Sequence, residues 1–326
     1  MSQPAPLNSV FKSGSIYTVG TIVATLLQFL SGLIIVRILS QEQYGDLSLA
    51  FILVTMAAVL CTFGFNNGVP QFIAKSNANQ DKKTIGAIAG AALIISTLLS
   101  VLITLMLYLE APILAKIYDK PNLEHIGKSF ALLIIPLTVT MILTAIFRGL
   151  EKTQNKVIFE DILPIFFRFL FLSIAVIFSL GFEYVVSFYV YASWISFLLY
   201  VAYSIKKIKN LNVTCERSAT INLVAFSAPL LGVAFLANLV TWAGTILLGY
   251  FGDSQQVAIY NAPLKVASFV GLPLIALVFI YLPTATRLIE RREFKALEKL
   301  YISATKWAVL IIYPIVCYLM LFAEAM

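Results

Sequence analysis

Charged residues are scarce in this chain, since they account for only 12% of its 326 residues, roughly half the share found in soluble domains. Hydrophobic residues account for 60%, and the mean hydropathy is +0.92. This composition excludes an ordinary soluble globular fold. It predicts an all-α, multi-pass membrane protein.

Cysteine and histidine are also scarce. The three cysteines, Cys61, Cys215 and Cys317, are far apart, and the sequence contains a single histidine. This spacing provides neither a disulfide framework nor a set of metal ligands. The sequence also lacks a complete nucleotide-binding motif. We therefore expect no metal, no cofactor and no catalytic residues.

Acidic residues are outnumbered, so that the formal net charge is +7 and the isoelectric point is near 9.2. The Lys and Arg residues occur in short clusters between apolar runs and form no continuous basic stripe, so no nucleic-acid partner is expected. The polar segments between the apolar runs can be divided into two alternating sets, the first of which begins with the amino terminus. The first set contains 16 Lys and Arg residues and the second contains 4. Because Lys and Arg near span ends are retained in the cytoplasm, the amino terminus is predicted to be cytoplasmic and the membrane to be the cytoplasmic membrane.

Long apolar runs are what the chain has in abundance, and most approach the roughly 20 residues that a helix needs to cross a bilayer. They predict nine transmembrane helices: Ile16–Val36, Leu47–Phe65, Ile85–Leu109, Phe130–Phe147, Ile162–Phe182, Tyr184–Ile205, two within Ile221–Pro283, and Trp307–Phe322. The mixed segment Ala111–His125 is predicted to lie at the membrane interface. The charged segment Thr284–Ser303 has one apolar face and predicts an amphipathic helix along that interface.

The hairpin Ile221–Pro283 has an unusual interior. Helix breakers and polar groups lie at predicted membrane depth within it: Pro229, Asn238, Gly244, Pro263, Lys265, Gly271 and Pro273. Such groups are costly next to lipid, so we expect them to face other protein or a cavity. This pattern favours a transporter over an anchor or a scaffold.

An internal repeat supports the same interpretation. The turn after the first span ends in Tyr44-Gly45-Asp46, and the turn of the hairpin leads to Tyr260-Asn261-Ala262. Six spans separate the two copies, so their orientations match. Parallel repeats are typical of transporters, with the substrate path at the repeat interface. The polar break near Lys206 predicts a boundary between two lobes, residues 1–210 and residues 211–326.

Three stretches carry a family resemblance: Arg37 to Gly45, Gly64 to Pro70, and the block from Ser227 to Pro283. Together they resemble the polysaccharide flippases, of the O-antigen or teichoic type, in the multidrug/oligosaccharidyl-lipid/polysaccharide exporter superfamily. The resemblance covers nearly all of the chain. It implies two six-helix lobes around a central cavity and translocation of a lipid-linked sugar by alternating access.

The predicted span count departs from that pattern in the second lobe, which has three spans instead of six. We expect one of two explanations. Either the sequence is a piece of a longer protein with about three to five further spans after Met326, or it is a reduced form that needs a partner to close the cavity.

Charged residues inside predicted spans are the first candidates for substrate binding, because desolvating them is expensive. Lys265 and Arg168 are the two strongest. Pro263 predicts a helix start next to Lys265, where the helix dipole and the ammonium group would together attract an anion. Arg37 and Asn238 complete the predicted substrate-binding set. The alternative for the long cationic side chains is snorkelling to the interface.

The sequence thus predicts a flippase that moves a polyprenyl-diphosphate-linked oligosaccharide across the cytoplasmic membrane for surface polysaccharide biosynthesis. Its expected partners are the lipid-linked substrate, membrane lipids and polysaccharide-assembly proteins. One alternative is a cation-coupled multidrug exporter of the same superfamily. Another is a membrane-embedded glycosyl- or acyltransferase, but such an enzyme needs a carboxylate pair or a histidine in a sizeable loop, and the loops here are short. We therefore expect that the chain is not an enzyme.

Overall fold

A computed structural model describes residues 7–152, 154–208, 217–271 and 292–321, together with residues 273, 274, 277, 281, 284, 285, 288 and 289. The regular secondary structure of these residues is entirely helical, which confirms the predicted fold class. The helices are α1 (Leu7–Ile38), α2 (Gln41–Cys61), α3 (Phe65–Ala78), α4 (Lys82–Ile117), α5 (Asn122–Ala131), α6 (Ile134–Gly149), α7 (Gln154–Lys156), a π-helix (Val157–Ile162), α8 (Leu163–Ile177), α9 (Phe182–Ile208), α10 (Arg217–Phe251), α11 (Ser254–Val270) and α12 (Phe294–Leu321).

Local sequence explains where several helices begin. Ser40 and Gln43 form a reciprocal capping box at the start of α2, with hydrogen bonds of 3.1 and 3.2 Å. Asp81 caps α4 by accepting a 3.1 Å hydrogen bond from the backbone N–H of Thr84. Gly64 separates α2 from α3 with a φ of 74°, a conformation that favours glycine. The breakers after the second span therefore end that helix, as the sequence predicts.

The described helices fit a multi-pass membrane protein. Seven segments are long and apolar enough to cross a membrane, judged by length and composition. The other two predicted spans correspond to α8 and α11, which are 15 and 17 residues long as described. Many large apolar side chains on α4, α10 and α12 are exposed. A bilayer would cover such faces.

Two predicted boundaries are wrong at the turns. The third span does not end at Leu109, because α4 continues to Ile117, and α5 begins at Asn122 after a turn in which Asp119 has a φ of 51°. The interfacial location of the segment 111–125 stays a prediction. The fifth span does not extend to Phe182, because α8 ends at Ile177 and Phe182 already begins α9. Phe178 and Leu180 in the turn after α8 continue the apolar run, so hydropathy alone does not mark the end of that helix.

The predicted amphipathic helix Thr284–Ser303 is also wrong in its boundary. Residues from Phe294 to Leu321 form one continuous helix, α12, which joins the charged segment to the ninth span. No proline or glycine lies between Phe294 and Pro314 to separate them. Part of the segment 284–293 lies outside the described residues.

The two ends of the helix bundle bring different turns together. At one end, Asp46 of α2 contacts Ser254 of α11 and Asn122 of α5. At the other end, the guanidinium group of Arg148 donates to the backbone carbonyl of Asn66. Three of the four turns predicted to be external therefore meet at a single end, as alternating spans require.

The helix pair α2 and α11 has the most extensive contact of all described pairs. It is especially close at Gly45, where a Cβ atom would lie 1.8 Å from the backbone oxygen of Ser254. This contact connects the helices before residue 210 with those after it. The division into two lobes at that residue stays a prediction.

Candidate functional site

A cavity of about 380 Å³ lies among α1, α2, α8, α9, α10 and α11. Both copies of the predicted repeat line it, since α1 and α2 belong to the first and α10 and α11 to the second. Its polar and aromatic lining consists of Thr25, Gln28, Ser31, Tyr44, Ser48, Phe51, Arg168, Tyr189, Trp242, Asn261 and Lys265. We refer to it as the central cavity.

Lys265 reaches the central cavity from α11. Its ammonium nitrogen lies 4.8 Å from the centroid of the Tyr44 ring, which is a cation–π contact. The aliphatic part of the side chain passes Gly32 of α1, where an added Cβ would be 3.2 Å from the Lys265 Cδ atom. The small residue on α1 thus leaves room for the lysine.

The predicted helix start next to Lys265 is wrong. The helix α11 begins at Ser254 and continues through Pro263, so Lys265 lies about three turns from the amino end. A proline is tolerated inside a membrane helix when neighbouring groups satisfy the freed carbonyl. Any anion site at Lys265 therefore depends on side chains and not on the helix dipole.

Arg168 reaches the same cavity from α8. The central carbon of its guanidinium group lies 4.8 Å from the centroid of the Tyr189 ring on α9. Its Nε atom is buried and has no hydrogen-bond partner among the described residues. Both strongest candidates from the sequence therefore face one cavity, and each is stacked on a tyrosine ring.

The charged residues in the described lining of the central cavity are all positive. Two cations line it, and no carboxylate belongs to the described residues of its lining. A smaller cavity of about 190 Å³ adjoins it and shares Gln28, Phe51, Arg168 and Tyr189 with it. The smaller cavity includes Glu160 of the π-helix. The acidic group thus lies beside the central cavity and the cationic groups lie in it.

The other two predicted site residues lie elsewhere. Arg37 is exposed in the last turn of α1, and Asn238 donates a 2.9 Å hydrogen bond to the carbonyl of Ala234 within α10. Neither lines the central cavity, and their binding roles stay predictions. Gln28 and Asn261 do line it.

Sequence reasoning missed the aromatic part of the lining, formed by Tyr44, Phe51, Tyr189 and Trp242. Aromatic residues make up 13% of the chain, so their presence in a span carries little information. The useful signal was the tyrosine in the turn motif Tyr44-Gly45-Asp46. A contact of that ring with a particular lysine is not visible without the packing.

Solved structures with the same architecture are membrane transporters. A multidrug resistance MATE family transporter of the MOP superfamily, in its inward-facing conformation, matches with a TM-score of 0.70 and 20% identity over 94% of this chain and 74% of that chain. Such a transporter in its outward-facing conformation matches with a TM-score of 0.65 and 17% identity, over 96% of this chain and 72% of that chain. A MOP superfamily transporter from Pyrococcus furiosus matches with a TM-score of 0.64 and 16% identity, over 96% of this chain and 72% of that chain. These likenesses establish the fold.

The family follows from the sequence itself. The family model of the polysaccharide biosynthesis proteins matches residues 10–287, which is most of the chain. The chain belongs to this family, as the resemblance predicted. Among curated proteins, no significant match was found.

Proposed function

We propose that this protein is a flippase that moves a polyprenyl-diphosphate-linked oligosaccharide from the inner to the outer leaflet of the cytoplasmic membrane. The observation that carries the proposal is the pair of cations, Arg168 and Lys265, in a cavity whose described lining has no carboxylate. An ionisable residue within a predicted membrane span is by default a candidate for substrate binding, because desolvating it is expensive. A diphosphate supplies charge-assisted hydrogen bonds to both groups.

The remaining lining suits a sugar. Hydroxyl and amide groups are provided by Gln28, Ser48 and Asn261, and flat apolar surfaces by Trp242 and Phe51. A volume of about 380 Å³ lies within the usual range of ligand pockets. We infer that the diphosphate and the nearest sugars occupy this cavity while the lipid tail stays in the bilayer. Membrane lipids and polysaccharide-assembly proteins remain the proposed partners.

The proposed architecture is two lobes, residues 1–210 and residues 211–326, that alternate around the central cavity. The amino terminus is proposed to be cytoplasmic, because the charge asymmetry of the loops favours that orientation. Membership of the polysaccharide biosynthesis family supports this function.

Substitution of the two cations tests the proposal. Lys265→Gln and Arg168→Gln should insert normally but lose export, and Lys265→Arg should keep part of it. Loss of a charge-assisted bond weakens binding by roughly ten- to a hundredfold, and this can be measured with pyrophosphate as the probe on purified protein. Each variant is expressed in a strain from which the gene is deleted, and loss of export is measured as lipid-linked oligosaccharide that is retained on the inner leaflet.

Lys116→Gln is the matched control, since Lys116 is an exposed lysine of α4 outside the central cavity. It should export and bind like the unmodified protein. Normal export by Lys265→Gln and Arg168→Gln at matched abundance would refute the assignment of these cations to the substrate.

A multidrug exporter is the second candidate, and two observations favour it. Several fold neighbours are described as multidrug resistance transporters, and Glu160 lies in the adjoining cavity, where a cation is attracted. For the Pyrococcus furiosus protein, however, a reversed polarity of the binding pocket is described as suggesting a different function. The cationic central cavity favours an anionic ligand here as well. The exporter would be supported if the protein conferred resistance to cationic drugs that depended on Glu160, and if a strain without the protein still exported polysaccharide normally.

A further inference from the structure

A network of polar side chains joins three turns at one end of the helix bundle. Asp46, on the first two turns of α2, accepts hydrogen bonds from the Ser254 hydroxyl and from the Asn122 amide nitrogen, the second at 3.3 Å. The ammonium group of Lys120 donates to the backbone carbonyl of Gly252 at 3.1 Å. Two of these three bonds cross from the helices before residue 210 to the turn between α10 and α11.

These groups are removed from solvent to an unusual degree for charged residues. Asp46 is 1% exposed, Lys120 is 6% exposed and Ser254 is 6% exposed. Charged residues are seldom buried so completely unless they are paired. Lys120 in addition points at the carboxyl end of α10, where the helix dipole attracts a cation.

We propose that Asp46, Asn122 and Lys120, with Ser254 and Gly252, form a lock that keeps this end of the transporter closed. The proposal rests on the alternating-access part of the proposed function, and in the proposed orientation the lock faces the outside. Gly252 and Ser254 are next-nearest neighbours in one turn. A single displacement of that turn therefore breaks both crossing bonds at once.

The composition of the lock suits repeated opening. A cavity of about 620 Å³ with polar walls lies next to it, lined among others by Glu42, Asp119 and Asp253. Water in this cavity can replace the broken bonds as the turn moves away, which lowers the cost of opening. An apolar contact of the same area would offer no such exchange. The alternative is that these bonds only fix helix packing, in which case their loss lowers stability without opening the end.

Sided labelling separates the two explanations. The reporter is Ser48→Cys, which places a thiol in the lining of the central cavity, in a protein whose Cys61, Cys215 and Cys317 are replaced by serine. An impermeant maleimide is added to intact cells, and the rate of labelling measures how often the outer end is open. Asp46→Asn and Ser254→Ala should each raise that rate severalfold to roughly tenfold, because a hydrogen bond to a buried charge is lost.

The design includes a control and a fallback. Glu42→Gln removes an exposed carboxylate beside the same cavity and should leave the rate unchanged. If Asp46→Asn does not reach the membrane, Ser254→Ala and Lys120→Gln give the same test with smaller changes. Unchanged labelling in the folded lock variants, or an equal rise in Glu42→Gln, would overturn the proposal.

The lock and the proposed substrate fail independently. The labelling needs no substrate, so Lys265→Gln should leave the labelling rate of the reporter close to its starting value while export is lost. If export depends on Lys265 but outer labelling does not depend on Asp46 and Ser254, the flippase proposal stands and the lock proposal is wrong.

Discussion

Replacing Gly45 by alanine should destabilise the contact between α2 and α11. The new Cβ would lie 1.8 Å from the Ser254 backbone oxygen and 2.7 Å from its carbonyl carbon, whereas ordinary van der Waals contact begins near 3.4 Å. The obstacle is backbone, so no side-chain rotamer change relieves the clash. The two helices would have to separate by about 1.6 Å.

The expected cost is that of an overpacked core position, about 1–3 kcal/mol. For a protein of this size that corresponds to a fall of roughly 1.5–4.5 °C in the apparent melting temperature. The measurement is thermal unfolding of the purified protein in detergent, followed by intrinsic fluorescence or by the exposure of buried thiols. Ser254 is displaced with its turn, so outer labelling of the Ser48→Cys reporter should rise as well.

Gly232→Ala is the matched control for this substitution. Gly232 lies inside α10, and its added Cβ would meet no atom within 4 Å. An alanine in such an open helical position stabilises by about 0.5–1 kcal/mol. If Gly45→Ala melts at or above the temperature of Gly232→Ala, the close approach of α2 and α11 is wrong.

Two further predictions concern topology and pH. Reporter fusions after Lys209 and after Lys299 should be cytoplasmic and a fusion at Asp253 external; a cytoplasmic Asp253 would contradict the whole span assignment. The Thr84 hydroxyl, followed by the Thr84 backbone N–H, lowers the pKa of Asp81 at the start of α4. The stabilisation from this cap is therefore complete above the unfolded pKa of about 4 and is lost as the pH falls through the lower folded value. The difference in melting temperature between the unmodified protein and Asp81→Ala should shrink between about pH 7 and about pH 3, and a constant difference would show that the charge of Asp81 does not contribute.

The parts of the fold that hydropathy controls were predictable from the sequence. The membrane class and the central portions of most spans follow from apolar runs, and the end of α2 follows from the breakers around Gly64. The end of α8 was missed because Phe178 and Leu180 continue the apolar run through its turn, where only Ser179 and Gly181 interrupt it. Pro263 misled for a different reason, since a proline does not always end a helix that is packed against other membrane helices.

Of the candidate site, the sequence predicted the two charged residues but not their common cavity or their aromatic neighbours. Lys265 and Arg168 stand out because a cation at membrane depth needs a reason. Their meeting in one cavity depends on the packing of α8 against α9 and of α11 against α2, which a single sequence does not encode in any local pattern. The tyrosine rings that support them, Tyr44 and Tyr189, are ordinary aromatic residues until that packing is known.

The two cations of the central cavity come from different parts of the chain, Arg168 from α8 and Lys265 from α11. The attraction that an anion between them experiences falls with the distance to each. A movement that separates α11 from α8 therefore weakens the attraction at the same time as it widens the space. Affinity in this cavity is a function of helix spacing, and an anion needs no additional residue to push it out.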